Sequence, residues 1–359
     1  MKLKRSKNKE LFIEDRIISE DVKFVASKCC KLITKLSNKS ILITGANGIL
    51  GRYLLHSIFE FNSSLKKPCK VYAYITKEIS KDNDIYYLKK NKNFFFIKQD
   101  LTKNFQIRKN LDYILHAASP ADPKTYLNNQ IRTLTLNTET TKKFLEYCVG
   151  KKTKFLFFSS GEIYGSPPRK YYPTREDYIS KRDHLSIRSC YAESKIFGET
   201  LCNVYKETKN VNSLIIRPIY VIGPGFKKTD SRAWTFFIRQ AVLGKNIVIK
   251  SDGKAVRGAC YVADAMIQIF NILINGKKGD LFNVGNSKGV SIKRIAKVVC
   301  KVNHKKIKYK ILNEENSTKA PMRNVPDMKK TLGKFNIKNY YDIESTIKRT
   351  LLWAERQKF

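Results

Sequence analysis

Short apolar runs alternate with helical patterns over the first 225 residues of the chain. The runs begin near residues 41, 70, 94, 111, 154 and 211, and they are too continuously apolar for strands that have one face in water. Segments with a helical period lie between them, including a long predicted helix over residues 131–148. Strands that alternate with helices form parallel sheets covered on both faces. The pattern therefore predicts an α/β fold built on a doubly wound parallel sheet.

The pattern changes at both ends of this region. Residues 13–36 carry a helical pattern with charged residues between the apolar ones, which suits a helix on a membrane surface or, as we expect, one packed against the domain. After residue 226 the alternation loosens into shorter elements. We predict an N-terminal helical extension (1–38), a dinucleotide-binding domain (39–225) and a smaller mixed α/β substrate domain (226–359), with some segments crossing between the last two. The absence of a low-complexity linker predicts a shared interface.

The first strand is followed by a glycine-rich turn. Residues 41–44 form the strand, glycines follow at positions 45, 48 and 51, and a helical pattern comes next. Glycines let the backbone turn tightly and approach phosphates, while the free N–H groups and the dipole of a helix N-terminus favour negative charge. The spacing therefore predicts a dinucleotide site. Its expected contacts are Gly45, Asn47, Gly48, Ile49, Leu50 and Gly51, with Ala117 and Ala118 after the fourth strand.

The end of the second strand bears on the choice of cofactor. NAD-specific enzymes usually carry an Asp or Glu there, which binds the ribose 2′-hydroxyl. Ile75 stands at this place and is followed by Thr76 and Lys77. Lys77 either accepts the 2′-phosphate of NADP or is one more surface lysine. We expect NAD, and NADP stays open.

Residues capable of proton transfer follow the fifth strand and begin a later helix. Ser160 and Glu162 follow the strand, and Tyr191 and Lys195 are four residues apart, hence on one helix face. Tyrosine, with an ordinary pKa of about 10, is a poor base at neutral pH. A lysine ammonium one turn away, together with a positive nicotinamide ring, would lower that pKa. We therefore predict that Tyr191 deprotonates a sugar hydroxyl while Ser160 holds the same oxygen.

These motifs resemble the extended short-chain dehydrogenases/reductases that act on nucleotide sugars, and most of all the UDP-glucuronate decarboxylases. The similarity runs from about residue 40 to the C-terminus. It rests on the glycine turn and on His116-Ala-Ala-Ser-Pro-Ala-Asp-Pro, Ser160-Gly-Glu-Ile-Tyr-Gly, Arg188-Ser-Cys-Tyr-x-Glu-Ser-Lys, Asp230-Ser-Arg and Asp252-Gly-x-x-x-Arg-x-x-x-Tyr-Val-x-Asp. These motifs are highly specific for the superfamily and less specific for one reaction.

The resemblance implies a Rossmann-type fold with bound NAD and a redox mechanism. NAD would oxidise the C4 hydroxyl of the sugar, the C5 carboxylate would leave as carbon dioxide from the 4-keto sugar, and hydride would return to C4. Glu162, or a water that it orients, would assist protonation at C5. The resemblance also assigns Asp100 and Leu101 to the cofactor, together with Tyr191 and Lys195. For the substrate it implies Ser119, Arg188, Tyr220, Arg232 and Arg257, and it implies a homodimer.

Departures from the family pattern leave the reaction open. Gly161 stands where the 4,6-dehydratases carry the Asp that protonates the departing C6 hydroxyl, which disfavours dehydration. Tyr220 replaces an Asn that contacts the substrate phosphate. The alternatives are a nucleotide-sugar 4-epimerase, a 4,6-dehydratase or a 4-ketoreductase in surface-glycan precursor synthesis. A non-catalytic nucleotide-binding protein is the alternative from another class, and the intact Ser160, Tyr191 and Lys195 argue against it.

The charge of the chain raises the question of a polyanionic partner. Lysine and arginine total 70 residues against 31 Asp and Glu, which gives a net charge of +39. Such a charge suits binding to nucleic acid or to an anionic membrane. The lysines are dispersed, however, and no nucleic-acid-binding motif is present. We therefore interpret the charge as compositional drift and expect no specific nucleic-acid partner.

Two further patterns bear on location and metal content. No apolar run approaches 18 residues, so we expect no transmembrane helix. The eight cysteines are scattered without C-x-x-C pairs, which argues against a metal site and against a disulfide framework. We expect a cytoplasmic protein with reduced thiols, no metal site and a UDP-linked nucleotide-sugar substrate.

Overall fold

The computed structural model describes residues 11–312 and 321–357. Seven parallel strands form the central sheet in the order β11-β6-β5-β4-β1-β2-β3, which confirms the predicted doubly wound parallel sheet. These strands are β1 Ser40–Thr44, β2 Lys70–Ile75, β3 Phe94–Lys98, β4 Tyr113–His116, β5 Lys154–Phe158, β6 Asn212–Pro218 and β11 Leu281–Val284. The shorter strands are β7 Val221–Ile222, β8 Ile247–Ile249, β9 Val256–Gly258, β10 Cys260–Tyr261, β12 Gly289–Ser291, β13 Tyr309–Ile311 and β14 Arg323–Asn324.

Helices cover the sheet and build the C-terminal third of the chain. They are α1 Arg16–Ile33, α2 Ile49–Ser63, α3 Pro123–Leu127, α4 Gln130–Asn137, α5 Glu139–Cys148, α6 Cys190–Lys209, α7 Ala233–Val242, α8 Val262–Asn275, α9 Ile292–Val302, α10 Lys329–Phe335 and α11 Ile343–Glu355. With helices on both faces, the strands need no alternation of polar and apolar residues. Ile41, Leu42 and Ile43 in β1 are accordingly all buried.

The order of strands reverses at β1. From there β2 and β3 extend to one side, whereas β4, β5, β6 and β11 extend to the other. Ligands of open parallel sheets bind outside the carboxyl ends of the strands at such a reversal. The fold therefore places a crevice beside the glycine turn that follows β1.

The single helix predicted over residues 131–148 is wrong, because the structure contains two helices, α4 and α5. Thr138 lies between them with φ −112° and ψ −77°, far from the values of about −63° and −42° that a regular helix has. Its hydroxyl donates a hydrogen bond to the carbonyl oxygen of Leu134 (2.9 Å). Such bonding of a Thr side chain to the preceding turn bends helices. The apolar period continues across the bend, which is why the sequence pattern did not reveal it.

Helix α1 packs against the body of the protein, as expected, rather than standing apart. It contacts α2 and α8. Its buried Asp21 carboxylate accepts hydrogen bonds from the hydroxyls of Tyr53 (2.8 Å) and Tyr261 (2.6 Å) and from Arg349 (2.9 Å). The members of its apolar face with no exposed surface are Ile18, Val22 and Val25.

The boundary between the two larger predicted domains is crossed by part of the chain. Residues 281–284 belong to the segment assigned to the substrate domain, yet they form β11 and pair with β6 in the central sheet. This is one of the crossings that the sequence analysis allowed. The division at residue 225 stays a prediction.

Asp264 in α8 shows how burial acts on a carboxyl group. Its side chain is 1% exposed and accepts hydrogen bonds from the backbone N–H groups of Tyr340 (3.0 and 3.1 Å) and Tyr341 (3.1 Å). Burial outweighs these bonds and raises the pKa of Asp264 to about 7. The pKa of Asp264 is higher in the folded state than in the unfolded state, so protonation of this carboxyl group stabilises the fold. This contribution is complete at acidic pH. It is lost as pH rises through about 7.

We expect this group to lower the free energy of unfolding by roughly 4 kcal/mol as pH rises from about 4 to about 8. Asp264→Asn cannot ionise and should lack this contribution. Urea denaturation across the pH range measures the difference. Asp177→Asn, at an exposed position beside Arg175, is the control and should keep the wild-type dependence. Equal pH dependence in wild type and Asp264→Asn would contradict the prediction.

Candidate active site

The glycine turn and the end of β4 lie against each other. Gly45 has a positive φ of 67°, and a Cβ atom there would lie 2.6 Å from the carbonyl oxygen of Ala117. A Cβ atom on Gly51 would lie 2.3 Å from the Gly45 carbonyl oxygen. The Ala118 N–H donates a hydrogen bond to the Thr44 hydroxyl (3.1 Å). The structure therefore brings together the predicted cofactor residues of the turn and of the fourth strand.

The N-terminus of α2 fits a pyrophosphate. Within the described chain no side chain caps this helix after Gly48, and its first turn holds no acidic residue. The first N–H groups of a helix have no partner within the helix and bind phosphate well. The Asn47 side-chain oxygen accepts hydrogen bonds from Arg52 (2.8 and 3.1 Å) and Asn83 (3.1 Å), so it stabilises the turn. Ile49 and Leu50 are partly buried against the core.

Asp100 is held by neighbouring residues. Its carboxylate accepts hydrogen bonds from the hydroxyl (2.7 Å) and N–H (3.0 Å) of Thr102 and forms an ion pair with Arg132 (3.0 Å). The hydrogen bond from Arg132 lowers the pKa of Asp100 well below its usual range. Leu101 beside it is buried. These contacts are those of a turn residue, and a role of Asp100 at the adenine stays a prediction.

Tyr191, Lys195 and Ser160 come together beyond the end of β5. Tyr191 and Lys195 lie one turn apart near the start of α6 and are 5% and 2% exposed. Ser160 follows β5 by two residues and forms a side-chain hydrogen bond with Tyr191. The Lys195 ammonium donates a hydrogen bond to the Phe158 carbonyl (2.7 Å) and lies 5.9 Å from the centroid of the Tyr191 ring. The predicted set of serine, tyrosine and lysine is therefore assembled in one place.

The surrounding protein by itself raises the pKa of Tyr191, and the lowering of this pKa by Lys195 together with the nicotinamide ring stays a prediction. Burial raises the pKa of Tyr191 to about 12, although the hydrogen bond with Ser160 opposes this shift. Burial also lowers the pKa of Lys195 to about 7. A buried side chain loses the solvation of its charged form, and the Lys195 ammonium is directed at a carbonyl rather than at the phenol. A phenolate at Tyr191 therefore requires positive charge beyond that of Lys195.

Glu162 lines a cavity of about 260 Å³ beside Tyr191. Its N–H donates a hydrogen bond to the Ser160 hydroxyl (3.2 Å), and its side chain is exposed. Arg188 lines the same cavity. The Tyr126 ring, also at the cavity wall, stacks on Tyr191 with centroids 5.1 Å apart and planes 13° apart. The cavity thus joins the predicted base to a carboxylate and an arginine, whereas the larger cavity of about 1400 Å³ includes none of the predicted site residues.

Two predicted substrate arginines approach Tyr220 from different segments. The Arg257 guanidinium lies 6.0 Å from the centroid of the Tyr220 ring. Arg232 is held by Asp230, whose carboxylate oxygens accept hydrogen bonds from its Nε (3.0 and 3.1 Å). Burial raises the pKa of Tyr220 to about 12, and both arginines oppose that shift. Arg232 also lowers the pKa of Tyr191, so its guanidinium acts on the predicted base as well as on Tyr220.

Two predicted substrate residues carry buried hydroxyl groups that lack partners. Within the described chain, the Ser119 hydroxyl and the Tyr220 hydroxyl form no hydrogen bond. Tyr220 also has a positive φ of 46°, which is unusual for a tyrosine. Buried polar groups are nearly always hydrogen-bonded in folded proteins. These two hydroxyls therefore fit contacts to a bound cofactor or substrate.

Residues 41–285 match the sequence profile of the NAD dependent epimerase/dehydratase family. The chain belongs to this family. The resemblance seen in the motifs is thereby confirmed at the level of the family, together with the expectations of an enzyme and of NAD as cofactor. The free helix N-terminus and the close glycine turn described above fit that cofactor.

Proteins similar in sequence to this chain include UDP-glucuronic acid decarboxylases. UDP-glucuronic acid decarboxylase 1 of Xenopus tropicalis is 27% identical over 84% of this chain and 68% of its own length. UDP-glucuronic acid decarboxylase 5 of Arabidopsis thaliana is 29% identical over 85% of this chain and 84% of its own length.

Solved structures of 4-epimerases share the fold. UDP-glucuronic acid 4-epimerase from Bacillus cereus, in complex with UDP-glucuronic acid and NAD, matches with a TM-score of 0.72 at 22% identity over 88% of this chain and 98% of its own. UDP-N-acetylglucosamine 4-epimerase from Methanobrevibacter ruminantium matches with a TM-score of 0.75 at 22% identity over 89% and 98%.

Sequence reasoning missed three residues beside the site of this family member. Tyr126 stacks on Tyr191, as described, and Glu199 forms a buried ion pair with Arg217 (2.7 Å). Glu199 lies four residues after Lys195, so helical spacing could have indicated it. No sequence signal pointed to Tyr126 or to Arg217, because their partners are distant along the chain.

The described residues include neither a metal centre nor a membrane-spanning helix. Among residues 11–312 and 321–357, no group of three or more His, Cys, Asp or Glu side chains is placed to hold a metal ion. No helix in these ranges is both long and apolar enough to cross a bilayer.

Proposed function

We propose that this enzyme decarboxylates UDP-glucuronate through transient oxidation of the sugar at C4, giving UDP-xylose or its 4-keto form. The observation that carries the proposal is the placement of Glu162 on the cavity that also contains Tyr191. Epimerisation at C4 needs only the Ser160, Tyr191 and Lys195 set. A carboxylate at this place serves a further proton transfer at C5. The names of the similar decarboxylases support the same reaction.

The site residues divide the proton transfers between them. Bound NAD supplies the hydride acceptor and, later, the hydride donor. Tyr191 removes the proton of the C4 hydroxyl, and Ser160 holds the same oxygen. Lys195, fixed by the Phe158 carbonyl, adds positive charge beside the phenolate. Once C4 is a ketone, the carboxylate is β to it and leaves as carbon dioxide, and Glu162 or a water that it orients protonates C5.

The remaining predicted residues suit the anionic part of a nucleotide sugar. Arg188 lines the cavity, and Arg232 and Arg257 approach Tyr220 at its side. Guanidinium groups bind phosphate oxygens with paired hydrogen bonds. We assign Arg232 and Arg257 to the pyrophosphate or uridine of UDP, and the unpartnered hydroxyls of Ser119 and Tyr220 to contacts with the bound molecule.

A UDP-glucuronate 4-epimerase is the second candidate, because the Ser160, Tyr191 and Lys195 set is sufficient for it. A 4,6-dehydratase is disfavoured by the packing at Gly161. A Cβ atom there would lie 2.2 Å from the Ile219 Cγ1 atom, so an Asp at this position would displace that side chain. The acid that a dehydratase needs therefore has no room in this arrangement.

Mass spectrometry of the nucleotide sugar tests the proposal. Purified protein incubated with UDP-glucuronate and NAD should produce a nucleotide sugar that has lost one carbon dioxide. A product of unchanged mass whose proton NMR spectrum shows inverted configuration at C4 would move the assignment to the epimerase. Recovery of unaltered UDP-glucuronate would contradict both reactions and would call for a panel of UDP-, dTDP-, GDP- and CDP-sugars.

Glu162→Gln should separate the chemistry at C5 from the chemistry at C4. We expect the decarboxylated product to form roughly 10- to 100-fold more slowly, because the amide is a poor proton carrier. Single-turnover formation of NADH, which reports oxidation at C4, should be retained. Glu139→Gln changes an exposed carboxylate in α5 and serves as the control. Equal losses in both steps would contradict a separate role of Glu162 at C5.

We further propose that the protein is a homodimer formed through α4 and α6. These helices pack on each other and present exposed apolar side chains, among them Ile131 (81% exposed) and Phe197 (52%). Contiguous exposed apolar groups typically mark an interaction surface. Sedimentation should give twice the chain mass for the wild type and one chain mass for Phe197→Glu. A monomeric wild type would contradict the proposal.

We place the enzyme in the cytoplasm, where thiols stay reduced. All eight cysteines are free in the structure. Reducing compartments retain such thiols, whereas secreted proteins usually pair them. Fractionation of cells that express the protein checks this, and recovery from a membrane or secreted fraction would contradict it.

A further inference from the structure

A buried ion pair lies one helical turn after Lys195 on α6. Glu199 on α6 and Arg217 on β6 have side chains that are 12% and 8% exposed. The Arg217 guanidinium donates from Nε to Oε1 (2.9 Å) and from Nη2 to Oε2 (2.7 Å) of Glu199. A bidentate pair of this kind fixes both side chains in orientation as well as in distance. The Glu199 carboxylate is therefore held rigidly between the helix and the sheet.

The position of Glu199 continues the face of α6 that carries the site. Tyr191, Lys195 and Glu199 follow one another at intervals of four residues, so their side chains lie on successive turns of one helix face. The Lys195 ammonium is buried, and its hydrogen bond goes to a neutral carbonyl. A buried cation is stable only when an opposite charge is near. Glu199 raises the pKa of Lys195, against the larger lowering effect of burial.

The other groups that face Lys195 do not provide this negative charge. His116 on β4 is neutral, since burial lowers its pKa to about 3. Asn137 on α4 is an amide whose NH₂ donates to Ser194 (3.0 Å). Arg217 is a cation. The Glu162 carboxylate raises the pKa of Tyr191, which disfavours the phenolate. Glu199, one turn after Lys195 on α6, is the carboxylate that acts on the pKa of Lys195.

Glu199 also contacts the strand end that leads to Ser160. The Ser159 hydroxyl donates a hydrogen bond to Oε1 of Glu199 (2.5 Å). Ser159 directly precedes Ser160, so the Glu199 carboxylate also helps to fix the backbone next to the predicted hydroxyl group. Arg217 adds further anchors through the Tyr164 hydroxyl (2.9 Å) and the Glu176 carbonyl (2.7 Å).

We propose that Glu199 is a positioning residue, held by Arg217 and Ser159, whose negative charge keeps Lys195 in its ammonium form so that Tyr191 can act as the base. The inference rests on the proposed role of the Tyr191 and Lys195 pair. It does not depend on which sugar is the substrate. Its test therefore reads the ionisation of Tyr191, which can be measured even if the decarboxylase assignment fails.

Glu199→Gln removes the charge while keeping the size of the side chain and an oxygen that can accept from Arg217. The readout is the ultraviolet absorbance of the Tyr191 phenolate in the NAD-bound enzyme. It is taken as the difference between each protein and the same protein carrying Tyr191→Phe. We expect Glu199→Gln to raise the apparent pKa of Tyr191 by about one unit, which leaves roughly tenfold less phenolate at neutral pH. The kcat should fall with it, while KM stays close to that of the wild type.

Two further variants separate charge from structure. Glu207→Gln makes the same charge change at an exposed position on the same helix and should leave the titration unchanged. Glu199→Asp keeps the charge and should return the pKa most of the way to the wild-type value. If Glu199→Gln only lowered the thermal stability and left the titration of Tyr191 at its wild-type position, the proposal would be overturned.

A double variant covers the case in which an unpaired Arg217 prevents folding. Glu199→Gln combined with Arg217→Gln replaces the ion pair by two amides and leaves no uncompensated buried charge. We expect the same rise in the Tyr191 pKa, because the negative charge of Glu199 is gone. An unshifted titration in this folded double variant would equally overturn the proposal.

Discussion

Tyr191→Phe should lower the kcat of the NAD-bound enzyme on UDP-glucuronate by roughly 1000-fold, within the range found for the loss of a general base. The substitution removes a single hydroxyl from a ring that is 5% exposed and stacked on Tyr126, so the packing of the site is kept. Binding of the nucleotide sugar should change little, because the arginines that we assign to it are untouched. Steady-state kinetics, with product detection by mass spectrometry, measure both quantities.

The matched control for this substitution lies on the same helix. Tyr205 in α6 has its hydroxyl 3.3 Å from the Glu146 carboxylate, remote from the Ser160 and Lys195 side chains. Tyr205→Phe should therefore retain wild-type kcat. If Tyr191→Phe retained it as well, catalysis would not depend on the phenol. That result would overturn the assignment of Tyr191 as the general base.

Local patterns were sufficient to predict six of the seven strands of the sheet, though not β11, and the shared helix face of Tyr191 and Lys195. The apolar run of residues 41–44 and the glycine spacing after it predict both a buried strand and the turn beside β4. The spacing of Tyr191 and Lys195 predicts that they share a helix face, because helical geometry fixes this regardless of the surroundings. These predictions succeed because they depend on residues close together in the sequence.

The properties that the sequence did not predict depend on distant residues or on burial. The pairing of Glu199 with Arg217 joins a helix to a strand that follows it, and nothing in either segment specifies the contact. The pKa of Tyr191 shifts upward because the surrounding protein excludes water, a property of the folded site as a whole. Thr138 interrupts a helix whose apolar period is continuous, since its side chain bonds to the backbone of the preceding turn.

Gly45→Ala should destabilise the protein by roughly 3–5 kcal/mol and weaken NAD binding at least about tenfold. The positive φ of Gly45 alone costs an alanine about 1–2 kcal/mol. The added Cβ would also lie 2.6 Å from the Ala117 carbonyl oxygen and 2.8 Å from the Ala118 nitrogen. Both neighbours are backbone atoms at the end of a central strand, so they cannot rotate away as a side chain would. Urea denaturation and calorimetric titration with NAD measure the two effects.

Gly150→Ala separates the two causes of this loss. Gly150 has a φ of 69°, nearly that of Gly45, but a Cβ atom there would meet nothing within 4 Å. We therefore expect Gly150→Ala to lower the free energy of unfolding only by the strain of an alanine at positive φ, about 1 kcal/mol. The affinity for NAD should be unchanged. The difference between the two variants then measures how closely the glycine turn packs on the end of β4. Equal losses of stability would mean that the turn can move away from Ala117. In that case, the close approach that we assign to cofactor binding would not be a fixed feature of the fold.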